Sequence, residues 1–357
     1  MVDGRVERVV NVRGAGPAGL AAAMAAVDAG ARAVVHEQRA TVGGRFHDDF
    51  QGLENWSTAR DVLEEMAELG IEPDFDHAPV RELLLFDPDG RERLCRSDRP
   101  LFYLLRRGGG PGTLDSALLG QARRRGVDLR FRSTVDVERK GGVDASGPRA
   151  TGIIAVGHVF TTDMADMACA AVSDRLAWQG YAYLLVQGGR GTLACCLFGD
   201  FGRRAEYLQR CVDFFRSRAG LRMTEARRFG GIGCARPPAT ARRGAALRAG
   251  EAAGFQDALF GFGIRYALLS GHLAGRCFAT GREAAYDAWW RRRLGGMLNT
   301  ALYNRLLYER GGHWAYRYLA WRVSVAGRPR DWLRRFYGPA WYKGAAARLL
   351  RRRKEMS

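Results

Sequence analysis

A short β-branched run that leads into three spaced glycines constrains this chain more than any other feature. The run covers residues 9–12, and the glycines are Gly14, Gly16 and Gly19. A helical pattern follows, and this order of strand, tight turn and helix is the one that a dinucleotide-binding turn requires. Gly14 makes the turn, Gly16 lets the backbone approach a pyrophosphate, and Gly19 lets helix and strand pack closely. The amides of the first helical turn then face the phosphates.

An acidic residue ends a second short strand about 20 residues further on, as this type of domain requires. The strand covers residues 33–36, and Glu37 follows it. A carboxylate at this point accepts hydrogen bonds from the hydroxyls of an adenosine ribose. The next loop contains Gly43 and Gly44, which let the backbone approach a cofactor. The pattern therefore predicts a dinucleotide-binding domain rather than a glycine-rich surface turn.

The charge of the chain is strongly positive and uneven. The formal net charge is +18, and the last thirty residues contain ten lysines and arginines against Asp331 and Glu355. Such a field favours anionic partners: an acidic membrane, a phosphorylated substrate, or nucleic acid bound without specificity. The alternative is a general preference for arginine at exposed positions. No specific nucleic-acid partner is expected.

Cysteine and histidine usage excludes several classes of site. The seven cysteines are odd in number and form no C-x-x-C pair, which argues against a disulfide framework or structural zinc and fits a reducing cytoplasm. The six histidines show no metal-ligand spacing, so no metal is expected. The sequence has no G-x-S-x-G nucleophile turn. It also has no signal-peptide core and no apolar run of the roughly 18 residues that a membrane span requires.

The middle of the chain changes from a nucleotide-type pattern to strand patterns. Residues 83–95 predict a hairpin, and residues 153–160, 181–186 and 192–198 predict long strands followed by a helix over residues 203–219. We therefore expect a separate antiparallel sheet with a covering helix. From Asp287 the chain is rich in aromatic residues and arginine, and its pattern is mostly helical.

A second glycine cluster covers residues 250–254 and 261–264 and precedes a helix over residues 265–278. The carboxylate of Glu251, at the end of a strand, would hydrogen-bond the ribityl hydroxyls of a flavin. The glycine-lined start of the helix would direct its dipole at the flavin edge that becomes negative on reduction. The alternative is an ordinary strand-turn-helix with small residues for packing.

With these motifs the chain resembles the FAD-dependent oxidoreductases of the p-hydroxybenzoate hydroxylase fold, and among them the geranylgeranyl reductase family. The resemblance runs from about Val9 to Phe278. It implies an α/β fold: a Rossmann-like FAD-binding domain of the glutathione reductase type, an interleaved antiparallel β-sheet substrate domain, and a helical C-terminal extension. We assign residues 1–72, 96–150 and 236–286 to the first domain, 73–95 and 151–235 to the second, and 287–357 to the extension.

The resemblance also implies a set of FAD-binding residues. These are Gly14, Gly16, Pro17, Ala18, Gly19, Glu37, Gln38, Arg39, Gly44, Arg45, Arg106 or Arg107, Gly250, Glu251, Gly261, Phe262, Gly263 and Ile264. Two of these positions depart from the family pattern, because Glu251 replaces an aspartate and Phe262 stands at a position that is commonly acidic. The helix from Tyr266 follows the family closely. Arg13, at the end of the first strand, either faces the pyrophosphate or points outward.

The strand from Tyr181 occupies the place of the family's aromatic strand over the flavin. Tyr183 stands for a tryptophan, whereas Leu185 and Val186 replace a phenylalanine and a proline. Tyr181 and Tyr183 lie on the same face of their strand because side chains alternate along it. As candidate catalytic residues, they would line a flavin-facing pocket, either as its walls or as proton donors. The alternative is that they are ordinary aromatic residues of the core.

The resemblance predicts an FAD-dependent oxidoreductase that reduces C=C bonds of an apolar, isoprenoid or lipid-like substrate by hydride transfer from flavin N5. The alternatives are an aromatic monooxygenase or halogenase that uses a C4a-hydroperoxide, and a non-catalytic FAD-binding scaffold. The chain has no second G-x-G-x-x-G, so NAD(P)H would bind only transiently, or a protein donor would supply the electrons. A cytoplasmic or membrane-peripheral location is expected.

The C-terminal segment has the pattern of an interfacial helix. Trp341, Ala345, Leu349 and Leu350 fall near one face, and Trp332 and Phe336 form an apolar group before them. Lys343 and the run from Arg351 to Lys354 would supply solvated positive charge. The segment is expected either to dock on anionic membranes or to pack back on the FAD domain with a solvated basic end.

Overall fold

The computed structural model describes residues 8–346. The strands of this part are, in chain order, β1 (Val9–Arg13), β2 (Arg32–Glu37), β3 (Phe50–Glu54), β4 (His77–Val80), β5 (Glu82–Phe86), β6 (Glu92–Arg96), β7 (Phe102–Arg106), β8 (Asp128–Phe131), β9 (Gly142–Asp144), β10 (Ile153–Thr161), β11 (Met167–Ala171), β12 (Tyr181–Gln187), β13 (Arg190–Leu197), β14 (Thr224–Gly233), β15 (Arg242–Arg243) and β16 (Ala246–Arg248). The α-helices are α1 (Pro17–Asp28), α2 (Val62–Glu68), α3 (Leu114–Arg124), α4 (Val137–Lys140), α5 (Arg204–Ala219), α6 (Ile264–Ala279), α7 (Tyr286–Trp290), α8 (Gly296–Ser324) and α9 (Pro329–Phe336).

The N-terminal half builds a sheet of the nucleotide-binding type. Its strand order is β15-β16-β9-β1-β2-β8, and all pairs are parallel except β15 with β16. The glycine turn leads from β1 into α1 as the sequence predicts, with Gly14 at a φ of +100° that disfavours other residues. A Cβ at Gly271 or Gly275 of α6 would collide with a backbone carbonyl of α1, so these glycines allow the two helices to touch. The sequence-based α/β fold is confirmed.

A second sheet has seven strands in the order β14-β10-β13-β12-β11-β5-β6, and α5 packs on it. Its pairs are antiparallel except for β5 with β11, which are parallel. The predicted separate sheet, its hairpin and its covering helix are confirmed. The sequence gives little sign of β14, because this edge strand is exposed at most positions and carries glycines and arginines instead of an apolar alternation.

A small third sheet joins stretches that the sequence divides between domains. Its order is β3-β7-β4, so β4, from the stretch assigned to the substrate domain, pairs with β7 from the FAD-binding stretch. The domain boundaries therefore stay a prediction.

The C-terminal region is helical, as expected. A π-helical turn over residues 291–295 leads into α8, which bends at Gly312 where φ is 47° and ψ is −135°. The helices α8 and α9 pack on a second apolar core with Trp56 and Phe102. The buried guanidinium of Arg330, at the start of α9, donates to four carbonyls of the loop over residues 55–60, which anchors this region to the body of the protein.

One expectation for this region is wrong. Lys343 is not solvated: it is buried, and its ammonium donates to the carbonyls of Phe336 and Gly338. Burial also lowers the pKa of Lys343. Trp332 and Phe336 stack on each other and pack against the second apolar core. Leu349, Leu350 and the basic run from Arg351 lie outside the described residues. Within residues 8–346, no helix is both long and apolar enough to cross a bilayer.

Candidate functional site

A cavity of about 700 Å³ lies at the carboxyl ends of β1 and β2. This volume is within the range of about 300–1,000 Å³ that is usual for ligand and cofactor sites. The predicted FAD-binding residues that line it are Gly14, Gly16, Pro17, Ala18, Glu37, Gln38, Arg39, Gly44, Arg45, Arg107, Glu251, Gly261, Gly263 and Ile264. The structure therefore brings most of the predicted set together around one cavity, although they come from five separate stretches of the chain.

The turn before α1 has the shape that a pyrophosphate requires. Gly16 lines the cavity, and a Cβ added to it would meet no protein atom within 4 Å. The start of α1 has no side-chain cap, so its first amides remain open to an anion. By contrast, a Cβ at Gly19 would lie 1.8 Å from the carbonyl oxygen of Gly14. Gly16 therefore leaves space for a ligand, whereas Gly19 serves the contact between helix and turn.

Glu37 is held rigidly at the end of β2. Its carboxylate accepts hydrogen bonds from the backbone N–H groups of Ala15 and Arg39, each at 2.9 Å. These two bonds leave the remaining lone pairs of the carboxylate for a ligand, because each oxygen can accept more than one hydrogen bond. The residue that the sequence assigns to a ribose is therefore present in the cavity wall, with its orientation fixed.

The structure distinguishes between the two candidate arginines. Arg107 lines the cavity, where its guanidinium makes a two-point contact with Asp115 at 2.8 and 2.9 Å and lies 4.1 Å from the ring centre of Phe46. Arg106 lies outside this cavity lining and instead binds Asp76 and the carbonyl of Pro111.

Other predicted residues serve packing or ion pairs. Arg13 forms ion pairs with Asp144 and Glu138 and lines neither cavity. It therefore does not face the site of a pyrophosphate, and its guanidinium is held by these two carboxylates instead of simply pointing outward. Gly250 packs against Ala18 of α1 and lies outside both linings.

A second, apolar cavity of about 280 Å³ adjoins the first. Its walls come from the seven-stranded sheet, from the loop after Gln256 and from α8 and α9. Phe262 belongs here and packs edge-to-face against Trp56, with ring centres 4.9 Å apart. Phe262 therefore extends the apolar wall.

Tyr181 and Tyr183 both line the apolar cavity, with ring centres 6.1 Å apart, which confirms that they share one face of β12. Their hydroxyls differ. The hydroxyl of Tyr181 donates to the carbonyl of Phe260 at 2.6 Å, whereas that of Tyr183 has no hydrogen-bond partner among residues 8–346. Burial raises the pKa of both phenols well above the usual value, so both keep their protons at neutral pH.

The two cavities share a wall that includes Gly261, Gly263 and Ile264 at the start of α6. Arg45 and Glu251 lie in both linings and form an ion pair at 3.1 Å. A ligand in the larger cavity can therefore reach one in the apolar cavity at the point where a helix begins.

A buried aspartate that the sequence analysis missed fixes this wall. Asp257 accepts hydrogen bonds from the N–H groups of Leu259 and Phe260 and from the hydroxyl of Tyr337. Desolvation outweighs these bonds and raises the pKa of Asp257 to about 6. Gln256 and residues 230–232, which also lie in both linings, were likewise missed. A single aspartate within a glycine cluster gave no periodic signal that could have identified it.

The fold is that of the FAD-dependent oxidoreductases of the p-hydroxybenzoate hydroxylase type. The chain is similar to a geranylgeranyl bacteriochlorophyll reductase-like protein from Thermoplasma acidophilum, with 16% identity, a TM-score of 0.72 and 96% of each chain covered. It is also similar to a flavin-dependent brominase, with 16% identity, a TM-score of 0.68, and 97% of this chain and 98% of the brominase covered.

A third similar structure is a 2-methyl-3-hydroxypyridine-5-carboxylic acid oxygenase, at 15% identity and a TM-score of 0.55, with 85% of this chain and 93% of the oxygenase covered. No protein-family model matches the sequence, and no curated protein matches it. At these identities the likeness establishes the fold alone.

Proposed function

We propose that this protein is an FAD-dependent oxidoreductase that reduces C=C bonds of an apolar, isoprenoid or lipid-like substrate. The observation that carries the proposal is the wall shared by a dinucleotide-type cavity and an apolar cavity. The residues present fit FAD, because the open Gly16 turn, the fixed carboxylate of Glu37 and the uncapped helix starts supply what a pyrophosphate, a ribose and a flavin edge require. When bound, the flavin would supply the hydride at N5.

The protein's own contribution would be binding, orientation and a proton. The adenosine and pyrophosphate would be held by the turn at Gly16 and by Glu37, and the ribityl chain by Glu251. The start of α6, which has no side-chain cap, would stabilise negative charge on the flavin edge. The apolar cavity, with walls such as Leu85, Leu185 and Val323, excludes water and fits a hydrocarbon chain.

The two tyrosines would then have different roles. The hydroxyl of Tyr183 has no partner within the described residues and holds a proton at the cavity surface, so it would donate a proton to the substrate carbon. Tyr181 would act as a positioning residue, because it holds the carbonyl of Phe260 in the shared wall. Tyr183→Phe should slow anaerobic substrate reduction about a hundredfold, in the range of general acid catalysis, with unchanged FAD affinity. A rate within a factor of two of the wild type would contradict the role of Tyr183.

The reaction itself is tested by anaerobic single turnover. The holoprotein is reduced and mixed with a short-chain isoprenoid alcohol as the probe. Flavin reoxidation, together with a product that has gained two hydrogens by mass spectrometry, supports the reductase. A flavin that stays reduced with a panel of apolar alkenes, and takes part in no turnover, would instead support the non-catalytic scaffold.

A monooxygenase or halogenase is the second candidate, and the similarity to a flavin-dependent brominase favours it. Rapid mixing of the reduced holoprotein with oxygen distinguishes the two. The reductase predicts that oxidised flavin returns in one phase, without a spectrally distinct species. A long-lived species that yields an oxygenated or halogenated product would establish the second candidate.

The reductant, NAD(P)H or a protein donor, is identified in the same apparatus from the rate at which each reduces the flavin. The free, buried state of all seven cysteines is consistent with the cytoplasmic location that we propose.

A further inference from the structure

The second half of α8 presents a continuous aromatic surface to solvent. We call Trp314, Tyr318, Trp321 and Val325 the aromatic stripe. Their spacings of four, three and four residues place them on one helical face. Trp314 is 69% exposed and Trp321 is 42% exposed. The rings of Trp314 and Tyr318 stack with planes 6° apart, and Trp321 continues the row.

The other face of the same helix turn lines the apolar cavity. Leu319, Ala320 and Val323 belong to its wall and are buried. This part of α8 is therefore apolar on two sides, one facing the proposed substrate cavity and one facing solvent. Single exposed apolar residues are common, but a contiguous row of large aromatics marks an interaction surface.

The charges around the aromatic stripe are mostly positive. Residues 310–335 contain seven arginines and one aspartate. Of these arginines Arg330 is buried, Arg317 pairs with Asp89 and Arg334 pairs with Asp331, and the other four are Arg310, Arg322, Arg328 and Arg335. The guanidinium of Arg322 lies 5.8 Å from the ring centre of Trp321 and 5.5 Å from that of Trp332. An aromatic surface surrounded by arginines is complementary to an anionic one.

We propose that the aromatic stripe docks into the interfacial layer of an anionic membrane, with α8 lying in the membrane plane. Tryptophan and tyrosine combine an apolar ring with a polar atom and are favoured at the lipid headgroup level. Arginines beside them bind acidic headgroups. Docking through this face brings the helix that walls the apolar cavity to the lipid surface. A second copy of the chain is disfavoured as the occupant, because a symmetric contact would bring two arginine-rich surfaces together.

This surface is distinct from the C-terminal one expected from the sequence, which stays a prediction. Trp332 and Phe336 pack partly on the second apolar core and Lys343 is buried, whereas Trp341 is exposed. The proposal concerns binding and does not depend on the reaction.

The test is flotation of the full-length holoprotein with vesicles of phosphatidylcholine alone or mixed with phosphatidylglycerol. We expect binding to the mixed vesicles only, weakened by salt. The double variant Trp314→Ser and Trp321→Ser should partition at least about tenfold less, because two rings lose their burial. Trp178→Ser is the matched control, since Trp178 is 41% exposed and lies outside the stripe. All three tryptophans are exposed, so the thermal unfolding of each variant should match that of the wild type.

Quenching of tryptophan fluorescence by brominated lipids gives a second measurement, which should fall in the double variant and persist in the control. Equal vesicle binding by wild type and double variant would overturn the proposal, as would an equal loss in the control. A concentration-dependent dimer that the double variant abolishes would make a second copy the occupant. Binding of single-stranded nucleic acid through the stripe, with no vesicle binding, would also overturn it.

Discussion

At the scale of single residues, the ion pair between Arg45 and Glu251 leads to a specific prediction about cofactor binding. The carboxylate of Glu251 lies 3.1 Å from the guanidinium of Arg45, and both residues belong to the wall of the larger cavity. The carboxylate therefore has two roles. It holds Arg45 in place and, in our proposal, it also binds the ribityl chain.

Glu251→Ala should weaken FAD binding by about 1.5–3 kcal/mol, the usual loss for a hydrogen bond to a charged group. Arg45 would remain partly exposed and solvated, so the stability of the cofactor-free protein should change little. Glu251→Gln is the matched variant and should lose less, because its amide can still hydrogen-bond a hydroxyl. Calorimetric titration with FAD measures both. If affinity is equal in the alanine variant and the wild type, the carboxylate serves Arg45 alone.

At the scale of elements, the segment over residues 257–263 connects α9 to the start of α6. Asp257 accepts from two amides of its own loop and from Tyr337, which follows α9. Because burial raises the pKa of this carboxyl to about 6, the folded protein binds its proton more tightly than the unfolded chain does. The resulting stabilisation is fully present below the ordinary carboxyl pKa and is lost as the pH rises through about 6.

Between about pH 4 and pH 6.5, Asp257 should therefore lower the free energy of unfolding by up to about 3 kcal/mol as the pH rises. In Asp257→Asn this pH dependence of the free energy of unfolding should disappear. The variant should also be less stable at every pH, because the amide NH₂ group cannot accept a hydrogen bond from a backbone N–H group. The measurement is the difference between wild type and variant in denaturant unfolding across the pH range, which cancels the titration of all other carboxylates. Parallel curves for the two proteins would contradict the raised pKa.

The elements also show which parts of the fold were accessible to sequence reasoning. The turn at Gly14, the hairpin of β5 and β6, and α5 were predictable because local patterns of glycine, turn residues and helical period determine them. The edge strand β14 was not, since its pairing with β10 rather than its own apolar pattern holds it in the sheet. The buried state of Lys343 was also inaccessible, because it depends on carbonyls released where α9 ends.

At the scale of the whole molecule, the site depends on distant stretches that meet at one wall. Residues near Gly16, Glu37, Arg107 and Glu251 surround the larger cavity, while strands of the second sheet and α8 enclose the apolar one. Most of the FAD-binding residues that the sequence motifs predict line the larger cavity, and their binding of FAD stays a prediction. It could not identify Asp257 or the contribution of α8 to the apolar cavity, because these residues come together only in the tertiary fold.

The most direct test of our central claim is the identity and affinity of the flavin that the purified chain retains. We predict bound FAD at one per chain and clearly weaker binding of FMN, because the cavity has both a pyrophosphate turn and a ribose carboxylate. Gly16→Val should abolish FAD binding while leaving thermal stability unchanged, since the new side chain meets no protein atom. Gly327→Val, at an exposed glycine with equally open surroundings, should bind normally. Full FAD occupancy in Gly16→Val, or equal affinity of the wild type for FMN and FAD, would contradict the dinucleotide site on which the proposed function rests.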